Sequence, residues 1–235
     1  MKYSIIIPLK NEEENISDLL HELVPVMRSL HQPWEVLTID DGSTDGTLKE
    51  LEKLKKEIAE LRVIVFDRNY GQSAAFDAGF RNAKGQFIIT LDGDRQNDPK
   101  DIPKLVALSE DADLVSGRRV NRQDPISKKW ISKLANAVRS RFCEDGIHDT
   151  GCSLKLYRKS CFDKIKLFKG MHRFLPALFL IEGFRVKEVP VNHRERIKGQ
   201  TKYHFFNRSF NTVADMFAVR WMKKRHLNYS IRKEW

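Results

Sequence analysis

Short apolar runs, most of them β-branched, alternate with longer amphipathic stretches through the first half of the chain. Residues 4–9, 34–40, 61–66, 86–92 and 113–117 are runs of this kind, each bounded by charged residues, Gly or Pro, and they read as short buried strands. Between them, residues 13–30, 44–59, 72–83 and 100–108 carry apolar positions at helical spacing. A βαβαβαβ order with continuously apolar strands predicts an α/β fold with a mostly parallel sheet covered on both faces. Its crossovers would be right-handed and its functional loops would gather along one edge. Thr44 with Asp45 reads as a helix cap, and Pro99 after Asp98 as a first helical turn. The second half is less regular. It holds a basic loop at 118–129, a helix near 131–142, the segment Asp149-Thr150-Gly151-Cys152-Ser153-Leu154-Lys155-Leu156-Tyr157, a strand over 185–191 and a last helix over about 203–225. The absence of internal repeats, low-complexity runs and an obvious linker favours one compact unit.

Composition narrows this picture without changing it. With 41% hydrophobic and 31% charged residues, the 235-residue chain is long enough for one sizeable globular core. Cys143, Cys152 and Cys161 are odd in number and lack CxxC spacing, which argues against a disulfide framework or a zinc knuckle and favours a reducing cytoplasm. The seven histidines form no HxxxH or HxH pair. Met1 to Pro8 runs into an apolar stretch without a cleavable leader pattern, and no later run approaches membrane-spanning length, so the chain is expected to be neither secreted nor membrane-spanning.

Charge is more telling when divided. Residues 1–116 hold 14 Lys+Arg against 22 Asp+Glu (net −8), while 117–235 hold 28 against 10 (net +18). An acidic half suited to a metal is joined to a half suited to polyanions.

Candidate chemistry lies at the strand ends. Asp92-Gly93-Asp94 comes after the run Phe87 to Thr90, and Asp40-Asp41 lies at the end of the run at 34–40. Open α/β sheets bind ligands at the carboxyl ends of their strands. Magnesium or manganese bound to a diphosphate needs only one or two carboxylates, the rest of its octahedron being water and phosphate oxygen. The competing reading makes Asp92 and Asp94 turn-capping acids; their position, the partner pair Asp40-Asp41, and the flanking Gln96 and Pro99 favour the metal.

Seven segments in order carry a resemblance: Ile6-Ile7-Pro8-Leu9-Lys10-Asn11-Glu12, Asp40 to Asp45, Arg68-Asn69-Tyr70-Gly71-Gln72, Asp92 to Pro99, Ser116 to Asp124, Asp149 to Cys152, and Arg196 to Tyr203. Over roughly residues 3–203 the chain resembles the family 2 glycosyltransferases of GT-A fold, more narrowly the polyprenyl-phosphate glycosyltransferases of dolichyl-phosphate mannosyltransferase type. The resemblance implies a Rossmann-like three-layer sandwich with a C-terminal amphipathic helix. A catalytic domain is expected over residues 1–202, and a basic, aromatic membrane-interface segment over residues 203–235. The resemblance further implies that Pro8, Glu12, Asp40, Asp41, Arg68, Asn69, Gly71, Gln72 and Gln96 hold the nucleotide. Asp92 and Asp94 would bracket Mg²⁺ or Mn²⁺, with Asp94 the more direct ligand. Arg119, Arg122, Arg196 and Lys202 would meet phosphates; Asp92, Asp94, Arg119, Arg196 and Lys202 form the implied catalytic set. Gly93 stands where relatives often carry Ala, and Thr201 where Ser is common.

The implied partners are a nucleotide-sugar donor, UDP rather than GDP, and a polyprenyl-phosphate acceptor. An anionic membrane surface is a further expected partner, whether a separate integral membrane protein passes on the product stays open, and nucleic acid is not an expected partner. A lipid phosphate is already an anion and needs no general base, so an inverting in-line displacement is expected, with cations taking up leaving-group charge. Transfer to a sugar hydroxyl would need such a base, and Glu144-Asp145 is the acidic pair to weigh; followed by Gly146, it also reads as a helix-ending turn. A sugar nucleotidyltransferase would carry a Gly-rich basic loop after its first strand, where this chain has Pro8 to Glu12. Arg220-Trp221 lacks the Gln or Arg of processive synthases three residues earlier, where Phe217 stands.

Residues 193–235 contain 11 Lys+Arg against three acids, and Phe206, Phe210, Val213, Phe217 and Trp221 form a helical stripe. One reading is an interfacial helix that keeps the enzyme cytoplasmic and peripheral at the inner membrane face; the other is a helix packed on its own domain. The stretch 174–181 likewise reads either as a core helix or as the lining of an acceptor path.

Overall fold

The computed structural model describes residues 1–120, 139–195, 205–227, 229, 232, 233 and 235. Among these, β1 (Tyr3–Leu9), β2 (Trp34–Asp40), β3 (Leu61–Val65), β4 (Phe87–Thr90), β5 (Leu114–Arg119), β6 (Lys155–Arg158) and β7 (Val186–Val191) form one sheet in the order β3-β2-β1-β4-β6-β5-β7. The helices are α1 (Ile16–Ser29), α2 (Thr47–Glu57), α3 (Gln72–Asn82), α4 (Ile102–Val106), α5 (Leu175–Ile181) and α6 (Phe205–Arg225).

Strand alternation creates the layers. Ile5, Ile7 and Leu9 of β1 point to one face, where they join Leu19 and Leu23 of α1, Leu51 and Leu54 of α2, and Leu105 of α4. Ile6 points to the other, with Phe76 and Phe80 of α3, Leu175 and Phe179 of α5, and Val219 of α6. Successive side chains of a strand face opposite ways, so a strand apolar at nearly every position must be covered twice. Helix α1 buries Ile16, Leu19, Leu20, Leu23, Val24 and Met27, a stripe at the three- and four-residue steps of one helical face.

Topology places the site. The chain runs outward from β1 through β2 to β3, then returns to lay β4 on the other side of β1, all in parallel pairing. The β1/β4 boundary is therefore a switch point, with a crevice outside the strand ends. The segments following Leu9 and Thr90 emerge there, with Asp41 beside them through its N–H to the Leu9 carbonyl (2.8 Å).

Four expectations are adjusted. Strand β6 was not anticipated, and it runs antiparallel to both β4 and β5, so the sheet is mixed on this side. Its four residues begin with a lysine, which pattern reading assigns to a surface. Helix α2 starts at Thr47 rather than 44: Gly46 is its N-cap and neither Thr44 nor Asp45 caps it, although Asp45, one position earlier, accepts at Oδ1 from Thr47 N (3.0 Å) and Thr47 Oγ1 (2.5 Å). Helix α1 starts at Ile16, and the helix expected over 100–108 is a 3₁₀ turn, Pro99–Asp101, followed by the short α4. Asp98 does cap that turn, its carboxylate accepting from Lys100 N (3.0 Å). Segment 174–181 resolves as core, since Leu175, Pro176, Ala177, Leu178 and Phe179 of α5 are all buried. Most of the helix expected near 131–142 lies outside the described residues; its end is helical through residues 139–143.

Candidate active site

Three loops at the strand ends are tied together by polar contacts. Asp41 is nearly inaccessible, and its carboxylate accepts from Tyr70 N (2.7 Å), Gly71 N (2.9 Å) and Asn69 Nδ2 (2.9 Å). The turn after β3 is thereby clamped to the end of β2. Asp40 Oδ1 accepts from Ser43 N (3.0 Å) and closes the next turn, where Gly42 has φ +63° and an added Cβ would lie 2.5 Å from the Arg68 carbonyl carbon. From β1, Asn11 N donates to Ser43 Oγ (2.9 Å), Glu12 N donates to Thr47 Oγ1 (2.8 Å), and Asn11 Oδ1 accepts from Thr44 N (2.8 Å). Arg68 lies over the ring of Tyr70 at 5.0 Å, and Tyr70 is 46% exposed. Pro8, Glu12, Asp40, Asp41, Arg68, Asn69, Gly71 and Gln72 thus belong to these interlocked loops or to the strand ends they leave.

Asp92 and Asp94 leave β4 on the next strand end. Gln72 Nε2 donates to Asp92 Oδ1 (3.0 Å), and Asp94 Oδ1 accepts from Gln96 N (3.1 Å). Gly93 lets this turn lie against β1: a Cβ there would sit 2.6 Å from Cδ2 of buried Leu9. Burial first, and then the charge of Asp94, push the Asp92 carboxyl up to about 6; Lys155 and Arg119 oppose that rise.

A second charged cluster adjoins the first. Arg119, at the end of β5, grips Asp149 with Nε and Nη2, both at 2.8 Å, and with its backbone N–H (3.1 Å). Burial raises the Asp149 carboxyl, and the bonds from Arg119 outweigh it, holding the group below the ordinary range. Lys155 of β6 is only 2% exposed, and its ammonium donates to the carbonyls of Thr150 (3.2 Å) and Cys152. Burial lowers its pKa, while Cys152, Asp149 and Asp92 favour its charged form. Ser153 Oγ donates to Asn97 Oδ1 (2.5 Å), joining the Asp149–Ser153 loop to the turn after Asp94.

Of the residues singled out from sequence, the nucleotide set, Asp92, Asp94, Gln96 and Arg119 occupy this one sheet edge or adjoin it. Arg122, Arg196 and Lys202 lie outside the described residues. Sequence reasoning missed Lys155, a lone lysine in an otherwise ordinary strand, and the bond of Arg119 to Asp149, a pairing 30 residues apart. Arg119 meets a carboxylate here, where the resemblance implied phosphate. Glu144-Asp145 takes its structural reading: Glu144 accepts from Lys223 (3.1 Å) of α6, Asp145 pairs with buried Arg139, and Glu144 and Gly146 both have positive φ.

Comparison with known proteins agrees with this geometry. The profile described as Glycosyl transferase family 2 matches residues 4–166. A dodecaprenyl-phosphate galacturonate synthase of Rhizobium johnstonii is 40% identical over 225 residues, 93% of this chain and 66% of the relative. An undecaprenyl-phosphate 4-deoxy-4-formamido-L-arabinose transferase of Salmonella choleraesuis is 39% identical over 92% of this chain and 66% of its own. The chain thus spans just under two thirds of the length of these relatives. Among solved structures, glucosyl-3-phosphoglycerate synthase of Mycobacterium tuberculosis, crystallised with Mn²⁺, UDP-glucose and phosphoglyceric acid, superposes with a TM-score of 0.74. It is 16% identical and covers 94% of this chain and 80% of the other, a likeness of fold. With a GT-A sheet, strand-end carboxylates at its switch point and a family match over most of its length, the chain belongs to glycosyltransferase family 2.

Proposed function

We propose that the chain moves a sugar from a nucleoside diphosphate to a polyprenyl phosphate at the cytoplasmic face of a membrane, with UDP as the carrier in preference to GDP. The observation that carries this reading is the Asp92/Asp94 pair at the β1/β4 switch point, beside loops locked by Asp41. The kinship to lipid-phosphate glycosyltransferases supplies the acceptor class.

The residues present fit Mg²⁺ or Mn²⁺. No group of three or more His, Cys, Asp or Glu side chains gathers among the described residues, so a protein-only cage is missing there, and two hard carboxylates suit an ion completed by water and diphosphate. Asp92 and Asp94 would hold it. When bound, it supplies Lewis-acid stabilisation of the departing diphosphate. Asp41 and the Asn69–Gly71 turn form the floor for the nucleoside, and exposed Tyr70 and Arg68 offer a stacking edge. Arg119, Arg122, Arg196 and Lys202 are proposed to face phosphates; Arg119 would do so from its bidentate grip on Asp149.

The acceptor phosphate attacks C1 as an anion, so the work left to this chain is positioning and charge stabilisation. Glu144 and Asp145 are engaged by Lys223 and Arg139, which disfavours a hydroxyl acceptor activated by that pair.

Residues 1–202 are proposed as the catalytic unit and 203–235 as its contact with anionic lipid. On α6, Met216, Val219 and Met222 pack toward the body, whereas Val213, Phe217 and Trp221 are 50%, 62% and 64% exposed. Leu227, Tyr229 and Trp235 extend the exposed apolar set beside Lys224 and Arg225. No helix among the described residues is long and apolar enough to cross a membrane, and an interfacial helix gains about 1 kcal/mol per basic residue near anionic lipid. A separate integral membrane protein is proposed to carry the product onward. The test is a screen of radiolabelled UDP- and GDP-sugars with undecaprenyl phosphate and Mn²⁺ or Mg²⁺. Counts should enter the lipid phase, and their absence with every donor would overturn the reading.

A further inference from the structure

We infer that Glu22, on the outer side of α1, is a positioning residue that clamps the Asp92–Asp94 turn to the chain at Asn192–Arg194. The inference rests on the proposed role of that turn in holding the metal-diphosphate. Arg95, directly after Asp94, has φ +61°, a left-handed conformation uncommon for a residue with a Cβ, so contacts that hold its side chain help to hold the turn. Its side chain is held from α1: Nη1 donates to Asp18, and Nη2 donates to Glu22 Oε1 (2.6 Å).

The other oxygen of Glu22 takes a different guanidinium. Arg194 Nη1 donates to Glu22 Oε2 (2.5 Å), and its Nη2 lies 2.7 Å from Asp98 Oδ1. Backbone pairing follows the same line: Arg194 N donates to the Gln96 carbonyl (3.0 Å), Asn97 and His193 form an antiparallel bridge, and Asn192 N donates to Asp101 Oδ2 (2.6 Å). One carboxylate on a packed helix therefore joins two segments that are far apart in sequence. The first carries Asp94; the second runs on, two positions past Arg194, to Arg196.

An exposed ion pair usually adds little. Glu22 differs because each oxygen serves its own arginine, and Arg95 is itself largely buried. An amide at this position keeps one acceptor and turns N–H groups toward the second guanidinium, which releases one arm without changing shape. Burial raises the Glu22 carboxyl, and the bonds from Arg194 and Arg95 reverse that and hold it below its ordinary range, as a shared anion requires.

The test compares the wild-type chain with Glu22→Gln, Arg95→Ala, the double variant, Arg194→Lys, and Glu110→Gln, an exposed ion-pair control. Free Mn²⁺ is titrated by electron paramagnetic resonance in the presence of UDP or GDP, and steady-state transfer and melting are measured in parallel. Glu22→Gln should weaken Mn²⁺ binding and lower kcat about tenfold each, with donor KM within about twofold and the melting temperature near that of Glu110→Gln. Arg95→Ala should do the same, the double variant should lose no more than either single one, and Arg194→Lys should fall in the same direction. Mn²⁺ affinity and turnover matching Glu110→Gln, or losses explained by the unfolded fraction alone, overturn the inference. So does the absence of Mn²⁺ binding by the wild-type chain with either nucleotide. If the wild-type chain binds Mn²⁺ but transfers no sugar to undecaprenyl phosphate, the proposed acceptor fails, while the clamp is still decided by Mn²⁺ affinity.

Discussion

Asp92→Asn should make the ligand-free protein more stable and the enzyme about a hundredfold slower. In the folded chain, burial and Asp94 raise the Asp92 carboxyl from 3.8 to about 6, so the folded state holds this proton more tightly than the unfolded state does. The stabilisation is fully present below about pH 4 and is lost as pH rises through 6. At 1.36 kcal/mol per tenfold change in proton affinity, ionising Asp92 at neutral pH costs the fold at most about 3 kcal/mol, less where crevice water screens it. Asn removes the charge and keeps an oxygen for Gln72 Nε2. For a chain of this length, a recovery of about 2 kcal/mol raises the melting temperature by about 4–8 °C. Calorimetry at pH 4.5 and 7.5, without metal or nucleotide, should show the wild-type chain losing stability over that interval relative to the variant. The same variant should lose the stabilisation that Mn²⁺ plus UDP gives the wild-type chain, and about a hundredfold in turnover. A variant less stable at pH 7.5, or one with near-normal turnover at saturating Mn²⁺, refutes this account of the pair.

Arg119→Ala strands the buried Asp149 carboxylate and should cost about 3 kcal/mol in urea denaturation. Because the Asp149 pKa is depressed, the stability it contributes is present above its ordinary value of 3.8 and lost as pH falls through the lower folded value, so the variant should also lose that acid sensitivity. Asp41→Ala removes the acceptor of three bonds to the Asn69–Gly71 turn; it should destabilise by about 3 kcal/mol and raise the donor KM more than it lowers kcat. Val213→Glu with Trp221→Glu should leave melting nearly unchanged, since both side chains are at least half exposed and Phe217, whose ring meets Phe142 edge-on (4.9 Å), is kept, and should abolish flotation with anionic vesicles at low salt; undiminished flotation refutes the lipid contact.

Local pattern carried the reading as far as local physics reaches. Apolar runs such as Ile5-Ile6-Ile7 and Phe87-Ile88-Ile89 have few alternatives to a strand buried on both faces, so β1 to β4 and their covering helices were legible. Strand β6 was not, because Lys155 is buried by a carbonyl cage that no neighbouring residue signals. The C-terminal stripe showed the opposite failing. Its spacing identified a helix, yet one face of α6 packs through Val219 while Phe217 and Trp221 stay exposed, and periodicity alone cannot tell which apolar face finds a partner.

The sequence by itself determined the fold class, the strand-end positions of Asp40-Asp41 and Asp92-Gly93-Asp94, and the acidic and basic halves, because each depends on spacing within a few residues. Tertiary structure decided which charges meet. Asp41 locks a turn 28 to 30 residues away, Arg119 is held by Asp149, and Glu22 bridges Arg95 and Arg194 at separations of 73 and 172 residues. Such pairings depend on the order and register of strands in the sheet, which bring together side chains that no sequence window contains.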